Sequence, residues 1–231
     1  MMGYGGRTSS SVYPEQKNMD EDVHAPYLLP MSRDFLHPDH EIEKHGAKLP
    51  HWKQDEVMQF VTFRLGDSLP QKVIRRWKID SQLWKSTWPP PWTPKQQEEY
   101  NRRFVYKLER WLDKGAGSCL LQYPGSRSIL ESVLMHFEGK RVEHHSWVIM
   151  PNHVHLLFKP LVPVGDLIQA WKSVSARKIN GGPIWQPNYR DTLIRDGGHF
   201  ANAVRYIRRN PRKIKPGSYT LWESERARAV K

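Results

Sequence analysis

The sequence predicts an α+β domain with an antiparallel sheet covered by helices on one face, and three observations lead there. Apolar runs flank Pro151-Asn152, from Val142 to Met150 and from His153 to Lys159, which is the pattern of a β-hairpin. A third β-branched and aromatic run, Val57 to Leu65, lies far upstream. Between and after these runs, apolar residues recur at helical spacing, giving the order strand, helices, hairpin, helix, short strand, helix.

Taken in order, residues 1–44 are rich in Gly, Ser, Pro and acidic residues without periodicity and read as a disordered tail. The ordered domain is expected over 45–215, beginning near His45 to Trp52. After the first strand, Ser68 is positioned to cap a helix with Pro70 in its first turn and Val73, Ile74 and Trp77 as its apolar stripe. Pro89-Pro90-Pro91 stops that helix. Thr93-Pro94 opens another, with Tyr100, Phe104, Leu108, Trp111 and Leu112 at helical spacing, so that about 80–115 reads as a helical insertion. Arg127 to Phe137 is a third helix, and Pro163 to Ile179 a fourth, closed by Gly181-Gly182. Trp185 to Arg195 is extended or looped, and Gly198 to Asn210 is a last helix before Pro211. Residues 216–231 read as a basic tail over the surface. Trp52, Trp77, Trp84, Trp88, Trp92 and Trp111 crowd the first half. They read as helix-packing residues in the first place and as base-stacking platforms in the second.

Composition narrows the partners. Lys and Arg number 36 against 24 acidic residues, a formal net charge of +12, which points to a polyanion, nucleic acid first. No apolar run approaches a membrane span, so no membrane partner is expected. Cys119 is the single cysteine, which excludes an internal disulfide and a cysteine-based zinc site. With no signal-peptide pattern at the N-terminus, the expected location is cytoplasmic.

The residues that could carry chemistry fall in two places. His153 and His155 are i and i+2 on a strand, so both imidazoles face one way, an arrangement that suits a divalent metal but is equally met by two polar residues on a wet sheet face. In the last helix Phe200, Ala203, Val204 and Ile207 form the core stripe, with Tyr206 and Asn210 four apart on its flank. An amide oxygen is a reasonable ligand for Mg2+ or Mn2+, and a phenol beside it a possible nucleophile. Asn210 can also be no more than a helix C-cap before Pro211. Tyr189, close to Arg190 and Arg195, is the rival nucleophile.

The stretch Trp147-Val148-Ile149-Met150-Pro151-Asn152-His153-Val154-His155-Leu156-Leu157 resembles the HUH signature of single-strand transposases, in particular the REP-associated tyrosine transposases. Ile184-Trp185-Gln186-Pro187-Asn188-Tyr189-Arg190-Asp191, leading into Ile194-Arg195-Asp196, and Tyr206-Ile207-Arg208-Arg209-Asn210-Pro211 are similar to two further motifs of that family. Together they span about 142–215; the Trp-rich insertion and the N-terminal tail match no motif. The resemblance implies a ferredoxin-like HUH endonuclease domain. His153 and His155 would be the metal pair and Asn210 the third ligand, where other branches of the superfamily carry Gln. Tyr206 would be the nucleophile, forming a 5′-phosphotyrosine and freeing a 3′-hydroxyl in single-stranded or hairpin DNA. Arg195, Arg205, Arg208, Arg209, Arg212 and Lys213 flank this site as candidate phosphate contacts. The protein would act as a monomer or a homodimer. Two rivals remain: a domesticated nucleic-acid-binding protein of the same fold that no longer cuts, and a metallohydrolase that uses the His pair without tyrosine chemistry. The second lacks a carboxylate in the motif to act as base.

Overall fold

The sheet takes its register from the hairpin at Pro151-Asn152. The computed structural model describes residues 34–37, 40–41, 43–45, 51–54 and 56–231, with the backbone alone described at 43–45, 51–53 and 213. Most of the expected 1–44 tail therefore lies outside the described residues. Within it, Asp34 to His37 dock on the domain: Leu36 N–H donates to the Ile194 carbonyl, and Asp34 pairs with Lys159 at 3.2 Å.

Strands β1 (Glu43–His45) and β2 (His51–Lys53) form a separate two-stranded ribbon. β3 (Gln59–Arg64) leads into α1 (Gln71–Thr87), α2 (Pro94–Tyr100), a π-helical turn over Asn101–Val105, and α3 (Tyr106–Leu112). Next come α4 (Pro124–Met135), the hairpin β4 (Val142–Ile149) and β5 (His153–Pro160), α5 (Val164–Asn180), β6 (Arg190–Leu193) and α6 (Gly197–Arg209). β7 (Thr220–Glu223) and α7 (Glu225–Arg228) close the chain. The main sheet has the order β6-β3-β5-β4-β7, and every pairing is antiparallel. The α+β class with an antiparallel sheet is as the sequence predicts.

Three expectations change. Helices cover both faces, not one. α4 and α5 pack with Val61, Phe63, Trp147, Ile149, Val154, Leu156 and Phe158, while α6 packs with Met58, Val148, Met150 and Leu157. The near-continuous apolar run of β5 is the sequence sign of a strand buried on both sides. Residues 216–231 are not a loose tail: Thr220–Glu223 pairs with β4, Trp222 stacks on Trp147 at 5.9 Å, and Ala227 is buried under α6. Their basic residues hid two apolar positions that complete the sheet. Ser68 does not cap α1, whose N-cap position is Pro70. Its hydroxyl donates to the Leu65 carbonyl (2.7 Å) and accepts from Arg64 (2.8 Å), because the tight turn at 65–68 brings a backbone acceptor closer than the helix start.

Thr93, by contrast, caps α2 through a reciprocal box with Gln96. The tryptophans of the insertion bind its helices to one another. Trp77 Nε1 donates to the Phe104 carbonyl (2.9 Å), Trp84 meets Phe104, and Trp92 meets Tyr100. The segment leaving α3 is fixed at Gly117, whose φ of +92° and approach to the Asp67 backbone leave no room for a side chain. No helix among the described residues is long and apolar enough to cross a membrane.

Candidate functional site

The face of the sheet under α6 carries the polar residues of interest. The β3–β5 register sets Thr62 opposite His155 and Arg64 opposite His153, and the β3–β6 register sets Arg190 opposite Thr62. Side chains at these positions project to one face, alternating with Val61, Phe63 and Val154, which fill the core under α5. The imidazoles of His153 and His155 therefore converge, with Nε2 to Nε2 at 3.0 Å. Both are buried, at 1% exposure, because α6 covers this face. A wet sheet face, the simpler expectation for this pair, is not what the packing gives.

Each imidazole is held from behind. His153 Nδ1 meets Asn152 Oδ1 at 2.7 Å, and the Asn152 amide donates to the Leu112 and Ala116 carbonyls at 3.2 and 3.1 Å. Those two acceptors fix the amide orientation, so Asn152 Oδ1 accepts and His153 Nδ1 carries the proton. The Nε2 of His153 is then a lone pair aimed at its neighbour. His155 Nδ1 meets Thr62 Oγ1 at 2.8 Å. Burial, reinforced by Arg64, pushes the His153 pKa down to about 3. Burial, then His153 and Arg190, hold His155 well below the usual range. Both rings are thus neutral near pH 7, the state a metal requires.

Tyr206 and Asn210 close the site from α6. Asp196 caps this helix, and Phe200, Ala203, Val204 and Ile207 are its buried stripe, as the spacing predicts. Tyr206 lies edge-on to His155, ring centroids 5.2 Å apart, and to Phe60 at 5.7 Å. The Asn210 amide and the Glu109 carboxylate of α3 both lie near its phenol. Burial, then the Glu109 and Asp113 carboxylates, push the phenol above its ordinary range, and the Asn210 contact opposes them. Asn210 is also the C-cap of α6, through its backbone N–H. Its side-chain Oδ1 is buried with no hydrogen-bond partner, an arrangement that costs about 1–3 kcal/mol unless a ligand completes it.

The donor set is compatible with a divalent cation. Two nitrogens each about 2.1 Å from one ion at a right angle stand about 3.0 Å apart, which matches the Nε2 separation. The proton-bearing rear nitrogen of His153 and the held rear nitrogen of His155 are the arrangement that orients metal-ligating imidazoles. Among the described residues no group of three or more His, Cys, Asp or Glu side chains could hold a metal; the third ligand that the family resemblance implies is Asn210.

Tyr189 stands elsewhere. It packs against the core under α5, with Lys172 Nζ 5.9 Å from its ring centre, and burial raises its pKa to about 12. Of the expected phosphate contacts, Arg195, Arg209 and Arg212 are exposed. Arg208 is engaged with Glu223 (3.0 Å) and the Val230 and Ala227 carbonyls, and Arg205 with Asn202 and the Lys231 carbonyl. The side chain of Lys213 lies outside the described residues. Sequence reasoning passed over Thr62, Arg64, Asn152, Glu109 and Arg190. Asn152 carried a signal, since it sits inside the hairpin motif beside His153; Glu109 carried none.

No family model matches the chain, and no curated protein matches it. Among solved structures, one described as a REP-associated tyrosine transposase bound to a REP hairpin is similar over 73% of this chain and 74% of that chain, with a TM-score of 0.42 and 15% identity.

Proposed function

We propose that the protein is a metal-dependent single-stranded DNA endonuclease and strand transferase, a transposase in which Tyr206 is the nucleophile. The observation that carries this reading is the placement of one phenol against His155 of a convergent, neutral imidazole pair; the end of the same helix holds the buried Asn210 oxygen, which has no hydrogen-bond partner. His153, His155 and Asn210 would hold the cation, and an imidazole-rich set favours Mn2+ over Mg2+. The cation, when bound, would neutralise charge on the non-bridging oxygens of a phosphodiester.

The rest falls to the chain itself. Asn152 and Thr62 keep the imidazoles oriented. The packed stripe of α6 fixes the Tyr206 backbone, so the phenol oxygen meets phosphorus from a set direction. Attack joins that oxygen to phosphorus as the bond to the 3′-oxygen breaks, leaving a 5′-phosphotyrosine and a free 3′-hydroxyl. The ester bond is conserved, so a second 3′-hydroxyl can reverse the step and join strands without a nucleotide cofactor. The +12 net charge and the exposed Arg195, Arg209 and Arg212 favour a polyanionic partner. A single-stranded flank suits a site covered by a helix better than a duplex does.

The test is a denaturing gel after incubation with Mn2+ and an end-labelled hairpin bearing a single-stranded flank. A labelled band at the mass of the protein is expected, and it should be lost on adding a chelator. Metal-dependent cleavage with no protein-linked product would overturn the tyrosine chemistry in favour of a metallohydrolase. Hairpin binding with neither cleavage nor adduct would leave a binding protein that has lost cutting, the reading that the burial of both imidazoles favours.

A further inference from the structure

Half of the net charge lies in the helical insertion. From Gln71 to Lys114, eleven Lys and Arg stand against five acidic residues, in a chain whose total is +12. This charge surrounds a groove of about 280 Å³, near the lower end of what single small ligands occupy. Lys72, Arg76 and Trp77 line it from α1, and Arg103, Lys107 and Trp111 from the π-helical turn and α3. The two indoles are half-buried and the four cations are exposed. The Trp77 indole is fixed, since its N–H donates to the Phe104 carbonyl. Two of the cations are committed, Arg76 to Asp80 and Arg103 to Glu99. Lys72 makes no ion pair among the described residues, and Lys107 rests over the Trp111 ring, 5.2 Å from its centre.

We propose that this groove binds a single-stranded stretch of DNA, with unpaired bases stacked on Trp77 and Trp111 and phosphates held by Lys72 and Lys107. Charge complementarity argues for this occupant. A cationic rim around aromatic faces matches a strand that carries anions along its backbone and flat rings beside them. A duplex fits less well, because its bases are already stacked on one another. The choice of DNA as the polymer rests on the function proposed above. The groove is also tied to the imidazole pair. α3 forms part of its wall, and at the end of that helix the Leu112 and Ala116 carbonyls hold the Asn152 amide behind His153. A strand lying in the groove is thereby set in register with the imidazoles.

The experiment measures binding of the full chain to oligothymidylate, to a blunt hairpin and to phosphatidylserine vesicles across a range of salt. Lys72 and Lys107 are exposed, so replacing both with Gln keeps the fold, which thermal unfolding checks. Oligothymidylate affinity should fall about tenfold, and the slope of log affinity against log salt should shrink by about 1.4, two phosphates at about 0.7 each. Trp111→Ala should weaken oligothymidylate binding about 5–150-fold with the salt slope kept. Blunt-hairpin affinity should change less than twofold in both variants. Wild-type affinity and salt slope in the double-Gln variant, or equal losses on oligothymidylate and blunt hairpin, would overturn the proposal. So would vesicle binding that the same changes abolish while oligothymidylate binding survives. That result would give the groove to a membrane surface, with Ile79 and Leu83 of α1, 61% and 66% exposed, as its apolar contacts. Adduct formation is scored separately. No adduct from a wild type whose groove variants lose oligothymidylate would remove the phosphotyrosine reading and keep the groove; an adduct with unchanged variant affinities would do the reverse.

Discussion

Asn152→Ala tests the claim that one buried amide organises the imidazole pair. Asn152 is 1% exposed, and its side chain makes three hydrogen bonds, to Leu112, Ala116 and His153, at 3.2, 3.1 and 2.7 Å. Each contributes about 1 kcal/mol net, and stranding the buried partners adds desolvation cost, so the loss should be about 3–4 kcal/mol. At 2–4 °C per kcal/mol for a chain of this size, unfolding should fall by about 10 °C. The second effect is on metal. Without its acceptor, the His153 ring loses its fixed tautomer, and Mn2+ affinity should drop about 10–100-fold. Urea unfolding and titration calorimetry measure the two effects. Asn152→Asp separates them, because it keeps an acceptor for His153 while turning a carboxylate oxygen towards two carbonyls; it should lose stability and retain metal affinity. A stability loss below about 1 kcal/mol for Asn152→Ala, with unchanged Mn2+ affinity, would show that the hairpin amide does not support the site.

Further expectations concern the tyrosines, an arginine and acid stability. Tyr206→Phe should abolish the covalent adduct while hairpin affinity holds, and Tyr189→Phe should keep the adduct, because Tyr189 packs under α5 on the other face of the sheet; an adduct that survives the first change and not the second identifies the other tyrosine. Arg208→Ala should cost about 2 kcal/mol in unfolding, since it unties α6 from Glu223 and the C-terminal carbonyls, while weakening hairpin binding less than twofold; the reverse pattern, normal stability with poor binding, would place the guanidinium on DNA. Acid should destabilise the fold before carboxylates titrate. Burial pushes His144 and His145 down to about 4 in the folded state, so as pH falls through about 6.5 the unfolded chain takes up protons that the folded chain refuses. By about pH 5 each should have cost about 2 kcal/mol, visible in urea midpoints at about pH 7.5 and pH 5; a flat profile would mean that these rings find proton acceptors.

Periodicity alone determined the hairpin, its turn, the four-residue apolar stripe of α6 and the shared direction of His153 and His155, because alternation along a strand and the 3.6-residue helical turn are local properties of the chain. The Thr93-Gln96 cap and the stop at the proline run were legible for the same reason. Tertiary structure decided what lies across the sheet. The apolar run of β5 carries no mark of which helix covers which face, so the expectation of helices on one face alone leaves α6 unplaced over the imidazole side. The last residues looked like a basic tail because charge masked Leu221 and Trp222, whose places appear only when β4 offers an unpaired edge. Tyr189 and Tyr206 are similar as letters; a sheet lies between them. Glu109 meets Arg190, and Asn152 meets the Leu112 carbonyl, through the docking of an insertion far upstream in the chain. Contacts between segments so far apart depend on the packing of every element between them, and no local pattern records that packing.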